Sequence, residues 1–595
     1  MFAAASHGHG ASLYRQMCAK CHGRDGQGVK GKYDDALRGD RSLEKLARYI
    51  NRSMPDDDPG KCTKDQAAAV AAYIYDAFYS REARFRNNPQ RVELVRLTNK
   101  QYVNTVADIF KHFTGNDGMI PKERGLHATY YATENFDGAK KAFARVDRAV
   151  DFDFGAGRPD QEHFPSITPS QTWIDCRASK PQDTNRVAKA EAFCAAFVAE
   201  AFRRPLAEDQ KRLFVEDQFK KAKKLEDAVK RVVLLALKSP QFLYLGLQRE
   251  KPDDFEIATR LSFGMWDSLP DDELQKLAGQ GQLHTHEQVA GQASRMLNDA
   301  RAHAKMQTFL HHWLQMDRVE SLSKDDKLFP GFTPETIADL RTSLDIFLAD
   351  TFWSDTSDYR KLLLADYLFV NQRLAQFYGL STNTSDDFVK VTLDANERSG
   401  VLTHPYLLAA FSYQKQTSPI HRGVFLTRNI VGRALRPPPM AQTFNDATFA
   451  TNLTMREKVA QLTRSQTCQA CHSVINPLGF SLEKFDAVGR FRTRDNDQLI
   501  DASAEYTTDD GETISLKGAL DLAQFAVSNE QAQNGFIEQL FKQVAKQPML
   551  AYGSDVPNML RESFVASNFN MQELLTEIAT TTALHGLEQP TRKKS

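Results

Sequence analysis

One five-residue pattern occurs twice in this chain of 595 residues: two cysteines separated by two residues, with a histidine directly after the second. The copies are Cys18-Ala19-Lys20-Cys21-His22 and Cys468-Gln469-Ala470-Cys471-His472. This spacing is the attachment signature of c-type haem, in which the thiols bond to the haem vinyl groups and the histidine binds the iron. A single copy would also fit a redox dithiol. Two copies predict two covalently attached haems, held by Cys18, Cys21, Cys468 and Cys471, with His22 and His472 as proximal iron ligands.

The composition excludes some classes of protein. Lys and Arg together number 76, as do Asp and Glu, whereas a nucleic-acid-binding protein usually has a basic excess. No uninterrupted apolar run approaches the length of about 18 residues that a membrane-spanning helix needs. We therefore expect no nucleic-acid partner and no transmembrane segment.

Three cysteines remain outside the two motifs: Cys62, Cys176 and Cys194. Cys176 and Cys194 enclose a short loop, and a disulfide between them would stabilise the fold by about 3 kcal/mol. The alternative is two buried free thiols. Cys62 has no evident partner and is predicted to be a free thiol.

The haem chemistry also predicts a compartment. Haem is attached to c-type cytochromes outside the cytoplasm, where disulfides also form. The first residues, Met1 to Ser6, are too few to hold a signal peptide, so we interpret the numbering as that of a mature or trimmed form. The expected location is periplasmic or secreted.

The N-terminal stretch of about 80 residues contains helical patterns around a glycine-rich loop, and Ser53-Met54-Pro55 precedes its last helix. This stretch resembles a class I cytochrome c. The resemblance implies that Met54 is the distal iron ligand opposite His22. A thioether opposite an imidazole raises the reduction potential, which suits electron transfer. The alternative for Met54 is an ordinary core methionine.

The remainder of the chain is predicted to be mainly α-helical. Val92 to Phe113 has the apolar spacing of an amphipathic helix, whereas Gly125–Tyr131 and Arg145–Phe154 have the pattern of short strands. A short β or loop excursion is also predicted near residues 496–516. The predicted domains are a class I cytochrome c domain (1–82), a helical linker domain (83–120), a small β-rich insertion (121–175), helical domains (176–250 and 251–385), a C-terminal haem-binding domain (386–510) and a C-terminal helical domain (511–595).

The strands of the insertion are similar to the opening of the carbohydrate-binding PA14 module. The similarity spans barely fifty residues, about a third of what that module needs. It implies a possible polysaccharide partner, and the alternative is a small β insertion without a ligand.

Further motifs follow one another along nearly the whole chain, in the order Arg96–Tyr102, Phe202–Leu206, Arg260–Leu274, Thr417–Gly423 and Asn476–Arg490. Together they resemble a large group of planctomycete-type secreted cytochromes. Members of this group join a cytochrome c domain to several domains of unknown function. The resemblance implies the domain order but names no reaction.

The ligand opposite His472 is not determined by spacing. His421, in a proline-anchored turn, is the first choice, and Met549, Met440 and His585 are alternatives. An open position is a further alternative.

Three functions therefore remain as hypotheses. The first is an extracytoplasmic dihaem electron-transfer protein with a redox partner protein or a small-molecule acceptor. The second is a dihaem redox enzyme, peroxidase-like or substrate-oxidising, with the C-terminal haem catalytic. The third is a haem-bearing surface protein that binds a polysaccharide or a partner. No hydrolase triad, zinc site or phosphate-binding loop is evident.

Overall fold

The structure is a computed structural model. Helices form most of it, which confirms the prediction of a mainly α protein. The structure describes residues 2–37, 43–80, 83, 95–114, 126–131, 141–147, 185–245, 252–316, 322–381, 387–435 and 444–585. The chain forms two units: Met1–Val95 together with Gly246–Ser595, and Arg96–Leu245. Within the described residues, no helix is both long enough and apolar enough to cross a membrane.

The first unit begins with a small group of helices: α1 (Phe2–Met17), α2 (Ala19–His22), α3 (Leu43–Ser53) and α4 (Lys64–Ile74), which continues into a π-helical turn (Tyr75–Tyr79). α4 begins at a capping box in which Thr63 and Gln66 each accept a hydrogen bond from the backbone N–H of the other. α1 crosses α4 at Gly10, where a Cβ would overlap the carbonyl oxygen of Ala69. The two helices therefore meet backbone to backbone.

These helices enclose one apolar core. It consists of the buried side chains of Leu13, Tyr14, Leu46, Ile50, Cys62, Ala67, Val70, Ala71, Ile74, Phe78 and Tyr79. Cys62 is 2% exposed and forms no disulfide with another described cysteine.

The described part of residues 95–245 forms short strands and a second set of helices: β1 (Val95–Arg96), α5 (Asn99–Thr114), β2 (Leu126–Tyr131), β3 (Lys141–Asp147), α6 (Arg186–Phe202), α7 (Glu208–Lys211), a π-helical turn (Arg212–Glu216), α8 (Asp217–Lys221), α9 (Leu225–Leu237), α10 (Pro240–Leu243) and β4 (Tyr244–Leu245). β2 and β3 are antiparallel, with Leu126 opposite Asp147. The predicted insertion therefore does contain a β-hairpin. Its second strand begins at Lys141, before the predicted Arg145. Tyr130 and Tyr131 are paired with Phe143 and Lys141, which extends the strand at its start.

The predicted helix from Val92 was too long at its start. Residues 95–96 form a strand, and the helix begins only at Asn99. The Thr98 hydroxyl accepts from the Gln101 N–H, and the Gln101 side chain accepts from the Thr98 N–H. This capping box is what sets the start of the helix.

The described part of residues 252–435 is again helical. Its elements are α11 (Asp254–Trp266), α12 (Asp272–Gly279), α13 (His286–Leu297), α14 (Ala300–Trp313), α15 (Pro334–Phe352), α16 (Tyr359–Leu364), β5 (Tyr367–Val370), α17 (Gln372–Tyr378), β6 (Val389–Thr392), a 3-10 turn (Gly400–Thr403), α18 (Pro405–Ala410), α19 (Pro419–Phe425) and a π-helical turn (Leu426–Ile430). β5 and β6 are paired antiparallel.

Residues 444–585 complete the first unit. They form a 3-10 turn (Asp446–Thr448), α20 (Met455–Leu462), α21 (Gln466–Phe480), β7 (Arg494–Asp495), β8 (Gln498–Leu499), β9 (Ala504–Thr507), β10 (Thr513–Leu516), α22 (Ala519–Ser528), α23 (Glu530–Ala545), a 3-10 turn (Met549–Tyr552), α24 (Val556–Ala566) and α25 (Met571–Leu584). The four strands pair as two short hairpins, so the β or loop excursion predicted near 496–516 contains β structure.

One continuous apolar core extends from Ile257 in α11 to Ala583 in α25. The domain boundaries predicted at 385 and 510 both fall within the chain segments that share this core. The finer domain boundaries remain predictions.

The motif around Trp266 and Asp267 has a structural role. The Trp266 indole N–H donates to the carbonyl of Met296, and the guanidinium of Arg301 lies 3.6 Å from the ring centroid. Asp267 forms a buried ion pair with Lys305, in which Nζ lies 2.9 Å from Oδ1. The motif therefore connects α11 to α13 and α14. The helix that follows is capped by Asp271, which accepts from the Leu274 N–H.

Candidate haem-binding sites

The first cysteine motif lies where α1 passes into α2. The backbone N–H of Cys18 donates to Tyr14, and that of His22 donates to Cys18, both at 2.9 Å. These are i to i−4 hydrogen bonds, so the backbone continues as a helix through the motif. Because residues three and four apart share one helix face, Cys18, Cys21 and His22 point to the same side.

Tyr14 fixes the loop that follows the motif. Its ring is fully buried between Tyr73 and Phe78, and its hydroxyl donates to the carbonyl of Gly23 at 2.8 Å. Burial raises the pKa of Tyr14 above its ordinary value, so the phenol remains a donor. Gly23 itself has a φ of +81°, a conformation that favours glycine.

The side chains of this site differ in exposure. Cys21 is exposed, whereas Cys18 is half-buried, and burial, together with the nearby Cys62 and Cys21, raises the pKa of Cys18 to about 12. The His22 ring lies 4.5 Å from the ring of Tyr33, and burial lowers the pKa of His22. The imidazole is therefore neutral near pH 7, which is the form that binds iron.

Met54 follows α3 and is half-buried. It packs against the same apolar core as Cys18 and Met17. The structure thus places the predicted distal ligand and the first attachment cysteine around one core. Two thiols, an imidazole and a thioether are the donor set of a His/Met c-type haem, so these residues fit that group. Ligation by Met54 remains a prediction.

The second motif lies within α21. The helix begins after Ser465, whose hydroxyl accepts from the Cys468 backbone N–H at 3.3 Å. Cys468, Cys471 and His472 again have the i, i+3, i+4 spacing of one helix face, and all three are half-buried. Two thiols and an imidazole therefore recur on one face of a longer helix.

A hydrogen-bond chain determines which ring nitrogen of His472 is protonated. Nδ1 lies 2.9 Å from Oδ1 of Asn476, and Nδ2 of Asn476 donates to the Thr463 hydroxyl at 2.9 Å. The Thr463 hydroxyl in turn donates to the Val459 carbonyl at 2.8 Å. Because the threonine hydrogen is used there, its oxygen must accept from the amide, which turns Oδ1 toward the histidine. Nδ1 then carries the hydrogen, and Nε2 keeps a lone pair for a metal.

α21 is positioned by a close crossing with α19. A Cβ on Gly479 would overlap the carbonyl oxygen of Pro419, and a Cβ on Gly423 would overlap that of Ile475. Only glycine permits such an approach at either position. Each helix thus contributes one glycine to the contact.

Buried polar groups join the same two segments. The Arg422 guanidinium, 1% exposed, donates to the carbonyls of Leu482 and Phe485, at 3.0 and 2.8 Å. The Thr417 hydroxyl donates to Glu483 at 2.9 Å. The sequence motifs at 417–423 and 476–490 are therefore in direct contact with each other.

His421 is placed differently from the residues around it. Pro419 and Gly423 face α21. His421 is two residues from each of them in the sequence, which places it about 200° from both around the helix axis. Its side chain is exposed, with its ring 5.2 Å from that of Tyr413. The structure does not bring His421 into the contact with α21. Its role as an iron ligand remains a prediction.

The other predicted residues are dispersed. Met549 is 2% exposed within the large apolar core, and His585 follows α25. Met440 lies outside the described residues. Cys194 is buried in α6, and its predicted disulfide partner Cys176 also lies outside the described residues, so that disulfide remains a prediction.

Asn476 and Thr463 are site residues that the sequence analysis missed. The spacing of four residues between His472 and Asn476 was a usable signal, because such residues meet on a helix. Thr463 belongs to the end of a different helix, and its contact depends on how α20 packs. No group of three or more His, Cys, Asp or Glu side chains in the described part of the chain could hold a metal ion by itself.

The α19–α21 crossing predicts a strong effect of one methyl group. Gly479→Ala would force the two helices apart, so we expect the free energy of unfolding to fall by about 1–3 kcal/mol. Urea denaturation followed by circular dichroism measures this change. Gly291→Ala in α13 is the matched control, since nothing lies within 4 Å of its added Cβ, and alanine favours a helix by about 1 kcal/mol. Equal stability of the two variants would contradict the close crossing.

Three regions of the chain match models of protein families. Residues 5–74 match cytochrome c oxidase, cbb3-type, subunit III, residues 253–380 match a protein of unknown function (DUF1592), and residues 398–495 match a protein of unknown function (DUF1588). No curated protein and no solved structure matches the chain. A cytochrome c domain implies covalently bound haem c and haem-based electron transfer with a redox partner. These three regions, in this order, are the domain architecture of the planctomycete-type multidomain cytochrome c proteins, as the sequence motifs predicted.

Proposed function

We propose that the protein is an extracytoplasmic dihaem cytochrome c that transfers electrons through a His/Met haem and a second haem. One observation carries the proposal: two thiols and an imidazole occupy one helix face at both motifs, in α1–α2 and in α21. Haem supplies one-electron redox chemistry at its iron.

At the first site, Cys18 and Cys21 would hold the haem through thioether bonds. His22 would bind the iron through one ring nitrogen, and Met54 would bind from the other side. Met54 and Cys18 are half-buried and pack against the same apolar core. A thioether ligand in such surroundings favours the reduced state and electron transfer.

At the second site, Cys468 and Cys471 would hold the haem, and His472 would bind the iron through Nε2. His421 would be the second ligand of this iron, although its exposed side chain lies on the face of α19 turned away from α21. An extracytoplasmic location is supported by the attachment chemistry, since c-type haem is attached outside the cytoplasm.

A haem oxidoreductase is the second candidate function, and the position of His421 favours it. His421 is on the face of α19 turned away from α21. Without a side-chain ligand opposite His472, a small molecule such as peroxide would reach that position. The two functions therefore differ in one measurable property, the ligation of the second haem.

The number of haems tests the proposal directly. We expect two haems per chain in the pyridine haemochrome assay, and one after Cys468→Ser with Cys471→Ser. Cys194→Ser is the control and should keep both haems, because Cys194 is not in either motif. A single haem in the unaltered protein would overturn the dihaem function.

Met54 has its own test. Met54→Ala should lower the reduction potential of the first haem by about 100 mV or more, since axial ligands set haem potentials over roughly 0.8 V. It should also let carbon monoxide bind the reduced form. Met17→Ala is the matched control, because Met17 packs against the same core. If the two variants have the same potential, Met54 is not the ligand.

The ligation of the second haem separates the two functions. If His421 is the ligand, His421→Ala converts a low-spin haem into a high-spin haem that binds carbon monoxide, as EPR and optical spectra report. His286→Ala, at an exposed histidine paired with Glu577, should change neither spectrum. An unchanged spectrum for His421→Ala removes the ligand assignment. Binding of carbon monoxide to the unaltered protein at this haem supports the oxidoreductase.

A further inference from the structure

We propose that Asn476, oriented by Thr463, is a positioning residue that fixes the His472 ring and strengthens its bond to the second haem iron. The proposal rests on the proposed function, because it concerns the haem attached at Cys468 and Cys471. It adds a determinant of the reduction potential that neither haem motif contains.

The orientation of the Asn476 amide follows from the direction of its hydrogen bonds. The side chain is buried, at 6% exposure, so its oxygen and nitrogen both need partners within the protein. Reversing the amide would place its NH₂ group against Nδ1 of His472 and its oxygen against the Thr463 hydroxyl. That hydroxyl would then have to leave the Val459 carbonyl to donate to it. The observed orientation keeps all three hydrogen bonds.

Thr463 is itself held firmly. Its backbone N–H donates to the Val459 carbonyl at 3.0 Å, and its own carbonyl accepts from the Gln469 side chain at 2.7 Å. Thr463 is 3% exposed. It therefore connects the end of α20 to the first turn of α21, close to the attachment cysteines.

Among the described residues, the first site has no comparable acceptor. Nδ1 of His22 is buried and has no hydrogen-bond partner among the described residues. A hydrogen bond accepted from Nδ1–H makes the other ring nitrogen a stronger donor to a metal. Stronger donation stabilises ferric over ferrous iron, so the Asn476 contact should lower the potential of the second haem.

Two substitutions of similar shape should shift this potential in opposite directions. Asn476→Leu removes the acceptor and should raise the potential by about 59 mV, which corresponds to about tenfold in the one-electron equilibrium. Asn476→Asp supplies a stronger acceptor and should lower it. Thr463→Val frees the amide to rotate and should raise the potential by less than Asn476→Leu does.

The measurement is a spectroelectrochemical titration of the full-length holoprotein, with EPR of the ferric second haem as an independent signature. The potential of the first haem is an internal reference and should not move. Asn371→Leu is the matched control: Asn371 is also 6% exposed and caps α17, but it contacts neither motif. It should lower stability and leave both potentials unchanged.

Opposite shifts for the Leu and Asp variants support the proposal. Equal shifts of the same sign, no shift, or an equal effect of Asn371→Leu would overturn it. If Asn476→Leu fails to retain haem, the Asn476→Asp and Thr463→Val variants still decide the sign. Two haems per chain with unmoved potentials would contradict this proposal alone, whereas one haem in the unaltered protein would contradict the proposed function.

Discussion

The buried guanidinium of Arg422 is the interaction on which the surroundings of α21, the helix of the second cysteine motif, depend. Burial lowers its pKa to about 10, so the group remains charged near neutral pH although almost no water reaches it. Carbonyls of Leu482, Phe485 and Asp486 accept its hydrogen bonds, and Glu483 lies 3.7 Å away. A buried charge is tolerated only when such partners offset the loss of hydration. The segment that follows α21 must therefore fold back over α19 and surround this side chain, and α21 is held from its C-terminal side as a result.

The same five-residue motif is placed in two different environments. At the first site the motif ends a helix, its histidine ring lies against Tyr33, and Met54 packs against the same apolar core as Cys18. At the second site the motif lies inside a helix, and an amide on the next turn accepts from the histidine. On the proposed function, attachment chemistry would be common to both sites, while the groups that would tune the iron are different. Two haems of one protein can differ in potential without any difference in how they are attached.

The sequence predicted the features that depend on neighbouring residues in the chain. The mainly α fold, the short strands in the insertion and the β or loop excursion near 496–516 follow from local patterns in the sequence. The start of α5 was misplaced because the capping box of Thr98 and Gln101 outweighs the apolar pattern that begins earlier. The roles of Trp266 and Asp267 could not be predicted, because their partners Met296 and Lys305 lie 30 to 40 residues away on other helices. Thr463 was missed for the same reason, and the face of α19 that carries His421 became known only from its packing.

The glycine pair of the α19–α21 crossing has a consequence for how such a sequence can change over time. Main chain touches main chain at Gly423 and Gly479, so the distance between these helices does not depend on the size of any side chain. Apolar residues elsewhere in the large core can be exchanged for others of similar volume with modest cost. His472, the proposed iron ligand, would keep its place throughout such exchanges, provided that both glycines are retained. Substitutions of core residues over time are therefore compatible with an unchanged position of His472.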